Sequence, residues 1–141
     1  MITSLNPLAR LLALPALALA APLQAAEPIA GRWLTEGNRA VVSIEPCGRT
    51  LCGRIERILA PTPEGAPTDR RNPDPKLRAR PVQGLQILSG FNDAGKDWRG
   101  RIYDPESGKS YKSIVAREPG GLKVQGCIMM FCQAQHWKPA R

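Results

Sequence analysis

The chain has 141 residues, with 20 Lys and Arg against 12 Asp and Glu, a formal net charge of +8, 14 Pro, 13 Gly, four Cys and one His. This length allows one domain with one core, and a single His excludes a multi-histidine metal site. Arg outnumbers Lys about two to one, which favours carboxylate- or phosphate-bearing partners, although the basic residues are scattered and also serve solubility.

The first segment reads as a leader. Met1 to Arg10 carries one charged side chain, Arg10, and Leu11 to Ala21 has no polar side chain. Small residues Ala25 and Ala26 precede Glu27-Pro28. This layout is that of a cleavable signal peptide, and its apolar run falls well short of the roughly 20 residues a membrane-spanning helix needs. The expected division is a signal peptide over 1–26, cut near Ala25 or Ala26, and a single domain over 27–141. The expected location is periplasmic or secreted, and the chain is not expected to be an integral membrane protein.

The remaining elements read as strands. Gly31-Arg32-Trp33 opens the first, and Ala40 to Ile44 is short and β-branched. Leu51 to Leu59 and Val82 to Phe91 alternate. Arg99 to Tyr103, Lys109 to Arg117, Leu122 to Met130 and Cys132 to Trp137 complete the set. Asp104-Pro105-Glu106-Ser107-Gly108 and Glu118-Pro119-Gly120-Gly121 are strong turns. Seven or eight short strands without helical periodicity predict an all-β, antiparallel meander barrel or sandwich. Between Ala60 and Pro81 six prolines exclude a central strand. That long loop is either a lid over a barrel mouth or a solvated connector.

The four cysteines form two C-x4-C pairs, Cys47/Cys52 and Cys127/Cys132. If each pair brackets a hairpin turn, its members lie opposite one another at disulfide distance. Such short closures contribute roughly 2 kcal/mol each, whereas a Cys52–Cys127 staple would contribute roughly 4.5 kcal/mol. Met129-Met130-Phe131 is a poor turn and stands against the second hairpin pairing. A four-thiolate zinc site is disfavoured by the spacing and by export, and no C-x-x-C redox pair is present.

Catalytic groups are sparse. His136 stands beside Trp137 and reads as a strand residue; Asp104 and Glu106 read as solvated turn acids. Gly108-Lys109-Ser110 echoes the end of a P-loop, but Tyr103 occupies the position of the required first Gly. No catalytic residue, metal ligand or cofactor is expected. Trp33 and Trp137 would approach each other if the first and last strands pair, with an Arg guanidinium over an indole. Trp98, Tyr103 and Tyr111 either line a pocket or fill the core.

Longer patterns resemble a known family. Gly31-x-Trp33-x-Thr35-Glu36-Gly37 is followed by Pro46-Cys47-Gly48-x-x-Leu51-Cys52-Gly53-x-Ile55. Asn72-Pro73-Asp74-x-x-Leu77-Arg78-x-Arg80-Pro81-x-x-Gly84 continues the pattern. So do Trp98-x-Gly100-x-Ile102-Tyr103-Asp104-Pro105-x-Ser107-Gly108-Lys109-x-Tyr111, then Leu122-Lys123-Val124-x-Gly126-Cys127 and Trp137. Together they resemble the bacterial DUF2147 family, whose function is uncharacterised. The resemblance implies an exported protein with a lipocalin-like (calycin) barrel of about eight strands. It also implies a lipocalin-type first strand in which a C-terminal cation, Lys138 or Arg141, covers Trp33.

The leading functional expectation is an exported barrel that binds a small, partly apolar ligand. Arg78, Arg80, Trp98, Tyr103 and Tyr111 would stand near its mouth, where the Arg side chains could meet an anionic head group. The first alternative is an interaction module with a filled interior, using its Arg side chains on an anionic envelope surface or a partner protein. The second is an enzyme using Tyr, Asp and Arg at the loop. Nucleic acid is not an expected partner.

Overall fold

The computed structural model describes residues 18–60, 63 and 65–141. Most of the expected leader, residues 1–17, lies outside the described residues. Eight strands form a closed barrel: β1 (Gly31–Leu34), β2 (Ala40–Cys47), β3 (Thr50–Ile58), β4 (Gln86–Asp93), β5 (Trp98–Asp104), β6 (Lys109–Glu118), β7 (Gly121–Ile128) and β8 (Phe131–Pro139). Each strand pairs antiparallel with the next in sequence. β1 closes the barrel on β8 through two pairs, Trp33 with Pro139 and Leu34 with Lys138. The expected all-β meander is therefore the fold.

Alternation explains the core. Val42 and Ile44 on β2, Ser113 and Val115 on β6, and Leu122 and Val124 on β7 are spaced by two and are buried. Phe91, Leu88, Ile55, Trp33 and Trp137 join the same cluster. Gly100 is required beside it, because a Cβ there would stand 2.6 Å from the Phe91 ring and from the Ser89 carbonyl. A bulge with Gly90 at φ 64° bends β4 at this point.

The structure moves several strand boundaries: β2 runs on to Cys47, β7 ends at Ile128 so that Met129 and Met130 form a turn, and β4 starts late. The run expected as a strand from Val82 pairs as one only from Gln86. Val82 to Leu85 makes a turn instead, closed by the Leu85 amide on the Val82 carbonyl at 3.0 Å with Gly84 at φ 89°. Val82 and Leu85 are buried all the same. Their apolar character seats the preceding loop rather than extending β4.

Up-and-down connectivity sends alternate connections to opposite ends. The β2–β3, β4–β5 and β6–β7 turns share one end, which the segment before β1 closes. Ile29 is buried in the core, and its carbonyl accepts from Trp33 Nε1 at 2.9 Å. Trp98 Nε1 donates to the Glu27 carbonyl at 2.9 Å, and the Ala26 amide donates to Asp93 Oδ1 at 2.9 Å. The cation over Trp33 is Arg117 of β6, 5.1 Å from the ring centroid, and not Lys138 or Arg141. Register explains this correction: Arg117 pairs with Leu122, which pairs with Trp137 on β8, so β6 and the barrel seam meet at this end. No helix among the described residues is long and apolar enough to cross a membrane.

Candidate functional site

The opposite end carries the β1–β2, β3–β4, β5–β6 and β7–β8 connections, and the proline-rich β3–β4 segment, termed the lid for its position, packs against β5 and the β5–β6 turn there. Its two arms run antiparallel: Thr68 bridges Pro81, the Asp69 amide donates to the Arg80 carbonyl at 2.9 Å, and the Val82 amide donates to Pro67 at 3.0 Å. Between the arms, Asp74 caps a short 3-10 turn at Pro75–Leu77.

One carboxylate ties the lid to the barrel. Asp69 is fully buried. Tyr103 of β5 donates to its Oδ1 at 2.5 Å, and Asn72 Nδ2 and Arg80 Nε donate to its Oδ2 at 2.8 Å each. Burial pushes the Asp69 carboxyl up, but the hydrogen bonds from Tyr103, Asn72 and Arg80 outweigh it and hold the group below the usual carboxylate range. Burial, then the bond to Asp69, pushes the Tyr103 phenol up. The β5–β6 turn lies directly beneath: a Cβ on Gly108, at φ 71°, would stand 1.9 Å from the Arg71 carbonyl.

A hollow opens on the wall beside the β7–β8 hairpin. Its volume is about 710 Å³, and Arg101, Lys112, Ser113, Ile114 and Met129 line it together with the Cys127–Cys132 disulfide. A neighbouring hollow of about 460 Å³ shares Arg101, Lys112 and Met129 and adds Lys109 and Tyr111. Arg101 and Lys112 stand directly opposite each other across β5 and β6. Like charges in that relation repel. Neither has a carboxylate partner among the described residues. Ser113 is buried, and its Oγ is the one buried side-chain polar atom among the described residues without a hydrogen-bond partner.

The site residues expected from the sequence are spread over three places. Arg80 and Tyr103 meet at Asp69, and Arg78 Nε donates to the Asn72 carbonyl at 2.8 Å, so all three are engaged in holding the lid. Trp98 is tied to the plug at the other end. Tyr111 lines the smaller hollow. Arg101 and Lys112 did not stand out in the sequence, because their relation exists only in the β5–β6 register. His136 faces Glu118, with Nδ1 2.6 Å from Oε1. Among the described residues no group of three or more His, Cys, Asp or Glu side chains could hold a metal ion.

A family model described as "Uncharacterized protein conserved in bacteria (DUF2147)" matches residues 31–139. Among solved structures, protein HP1028 from Helicobacter pylori, described as belonging to the lipocalin family, shares the fold with a TM-score of 0.71. That likeness is at 22% identity and covers 81% of this chain and 84% of that one. No curated protein matches the chain.

Proposed function

We propose that this chain, which belongs to the DUF2147 family of bacterial proteins, is an exported barrel that binds a small anionic amphiphile in the hollow beside the β7–β8 hairpin. The observation that carries this reading is the Arg101–Lys112 pair. Two cations held opposite each other without a carboxylate repel, and an anion between them turns that cost into attraction. Ile114 and Met129 supply apolar wall for a short tail. Lining groups of this kind hold and orient an anion, which favours a binding protein over an enzyme.

Export is supported by the leader-like N-terminal sequence and by the two disulfides, Cys47–Cys52 and Cys127–Cys132. The plug favours a cut after Ala25. The Ala26 nitrogen already donates to Asp93 Oδ1, so a new terminal ammonium at Ala26 would pair with that carboxylate. Intact mass of protein from an exporting host reads the cut directly.

Calorimetric titration with dodecyl phosphate, alongside dodecyl maltoside as a neutral-headed control, tests the binding reading. Saturable binding of the phosphate alone, weakened about tenfold or more by Arg101→Gln or Lys112→Gln, is expected. Absence of heat, together with absence of an adduct in native mass spectra, would overturn it.

A further inference from the structure

Ile128, Met129, Met130 and Phe131 form the tip of the β7–β8 hairpin and are 61%, 91%, 86% and 77% exposed. Four consecutive large apolar side chains at such exposure are rare on a water-facing surface unless something covers them. We propose that this tip inserts into the interface of an anionic lipid bilayer.

Shape favours a bilayer over a protein groove. Ile128 pairs with Phe131 across the hairpin, and Met129 and Met130 make the two-residue turn between them. Successive side chains on a strand point to opposite faces, so the apolar surface surrounds the tip instead of marking one side. A groove covers one side; the boundary between head groups and acyl chains covers all of them.

Charge identifies the lipid class. Arg101, Lys109 and Lys112 line the same hollow as Ile128 and Met129, and none has a carboxylate partner among the described residues. An apolar tip with a basic collar is complementary to a bilayer whose head groups are negative. A second copy of the chain would instead bring the same cations against one another.

The hairpin is also built to hold its shape without packing. Cys127 and Cys132 are opposite one another at its base and are joined covalently. Met129 adopts φ 54°, a conformation that Gly or Asn would take with less strain. A tip ordered before contact loses little further freedom on insertion. This inference rests on exposure and charge and is separable from the ligand reading, because Met130 and Phe131 line neither hollow.

The test is co-sedimentation of protein from an exporting host with vesicles of phosphatidylcholine alone or with one quarter phosphatidylglycerol, at low and high salt. Binding to the phosphatidylglycerol vesicles is expected, weaker at high salt. The double variant Met130→Ser/Phe131→Ser is expected to lower partitioning about a hundredfold and to leave dodecyl phosphate binding unchanged. Undiminished partitioning of that variant would overturn the proposal, as would absence of wild-type binding or equal binding to phosphatidylcholine alone. A wild-type dimer in sedimentation velocity that the variant converts to monomer would assign the tip to a second copy and overturn it too. Both substituted side chains are exposed, and circular dichroism verifies the fold of the variant.

Discussion

Tyr103 of β5 donates its phenolic hydrogen across 2.5 Å to Asp69, a lid residue 34 positions earlier in the chain. This bond joins the proline-rich segment to the barrel wall. Asn72 and Arg80 satisfy the other carboxylate oxygen from within the lid. The acid is thus the centre of a polar network, within which Asn72 Nδ2 also donates to the Tyr103 hydroxyl at 3.2 Å.

Removing the acid leaves the Tyr103 hydroxyl without its acceptor and takes one acceptor each from Asn72 and Arg80. Asp69→Ala is expected to cost about 3 kcal/mol in urea unfolding, since a buried ionic partner is lost while Tyr103 and Asn72 keep their desolvation cost. Tyr103→Phe removes one bond to a charged group and is expected to cost about 1.5 kcal/mol. In both variants, hydrogen exchange is expected to accelerate first at Asp69, Val82 and their neighbours, whose amides join the two arms of the lid.

The same network sets a pH window. Asp69 is held below its ordinary carboxylate range, so its contribution is complete above the unfolded value of about 3.9 and is lost as pH falls through the folded value. Tyr103 is held above its ordinary value, so its contribution is complete below about 10 and is lost as pH rises through the folded value. Lid protection measured by limited proteolysis is therefore expected to be flat between these limits and to fall on both sides. In Asp69→Asn the acid limb at this site disappears; an unchanged acid limb would exclude Asp69 as its source.

Gly108 provides a steric test of the same attachment. A Cβ there would overlap the Arg71 carbonyl, and φ 71° is itself unfavourable for other residues. Gly108→Ala is expected to cost about 2 kcal/mol or more and to loosen the lid, whereas Gly120→Ala, at φ 80° with nothing near its Cβ, loses the backbone term alone. Comparison of thermal midpoints separates the two contributions.

The two disulfides close equally short loops, each with a sequence separation of 5. Replacing either pair by Ser is expected to cost about 2 kcal/mol by the loop-entropy account. The variants are expected to differ in local exchange: Cys127→Ser/Cys132→Ser frees the exposed β7–β8 tip, and Cys47→Ser/Cys52→Ser frees the turn at the plugged end.

What the sequence made legible depended on local chemistry. A short β-branched run marked β2 and alternation marked β3, and Asp104 to Gly108 and Gly120-Gly121 marked turns where the structure has them. Cysteine spacing indicated both hairpins, although Met129-Met130-Phe131 lacks ordinary turn residues. Relations across strands were not legible. Arg117 reaches Trp33, and Arg101 faces Lys112, only through a register that no local pattern encodes. Val82 and Leu85 read as strand because burial is visible in composition while the element that buries them is not. Arg80 and Tyr103 stood out as ligand groups, yet the structure turns both toward Asp69. A polar side chain in a proline-rich loop looks the same in sequence whether it faces a ligand or another part of the lid.

The barrel seam has a temporal consequence. Seven of the pairings join strands that follow one another in the chain, and only β1 with β8 joins distant residues. A polypeptide that emerges N-terminus first can zip the short hairpins as they appear, because such contacts close small loops, while β3 waits for β4 across the proline-rich segment. It cannot join Trp33 to Pro139 until nearly the whole sequence is free. Until then β1 presents an unsatisfied edge, the kind of surface on which neighbouring chains aggregate. Closure of this barrel thus waits on its last strand.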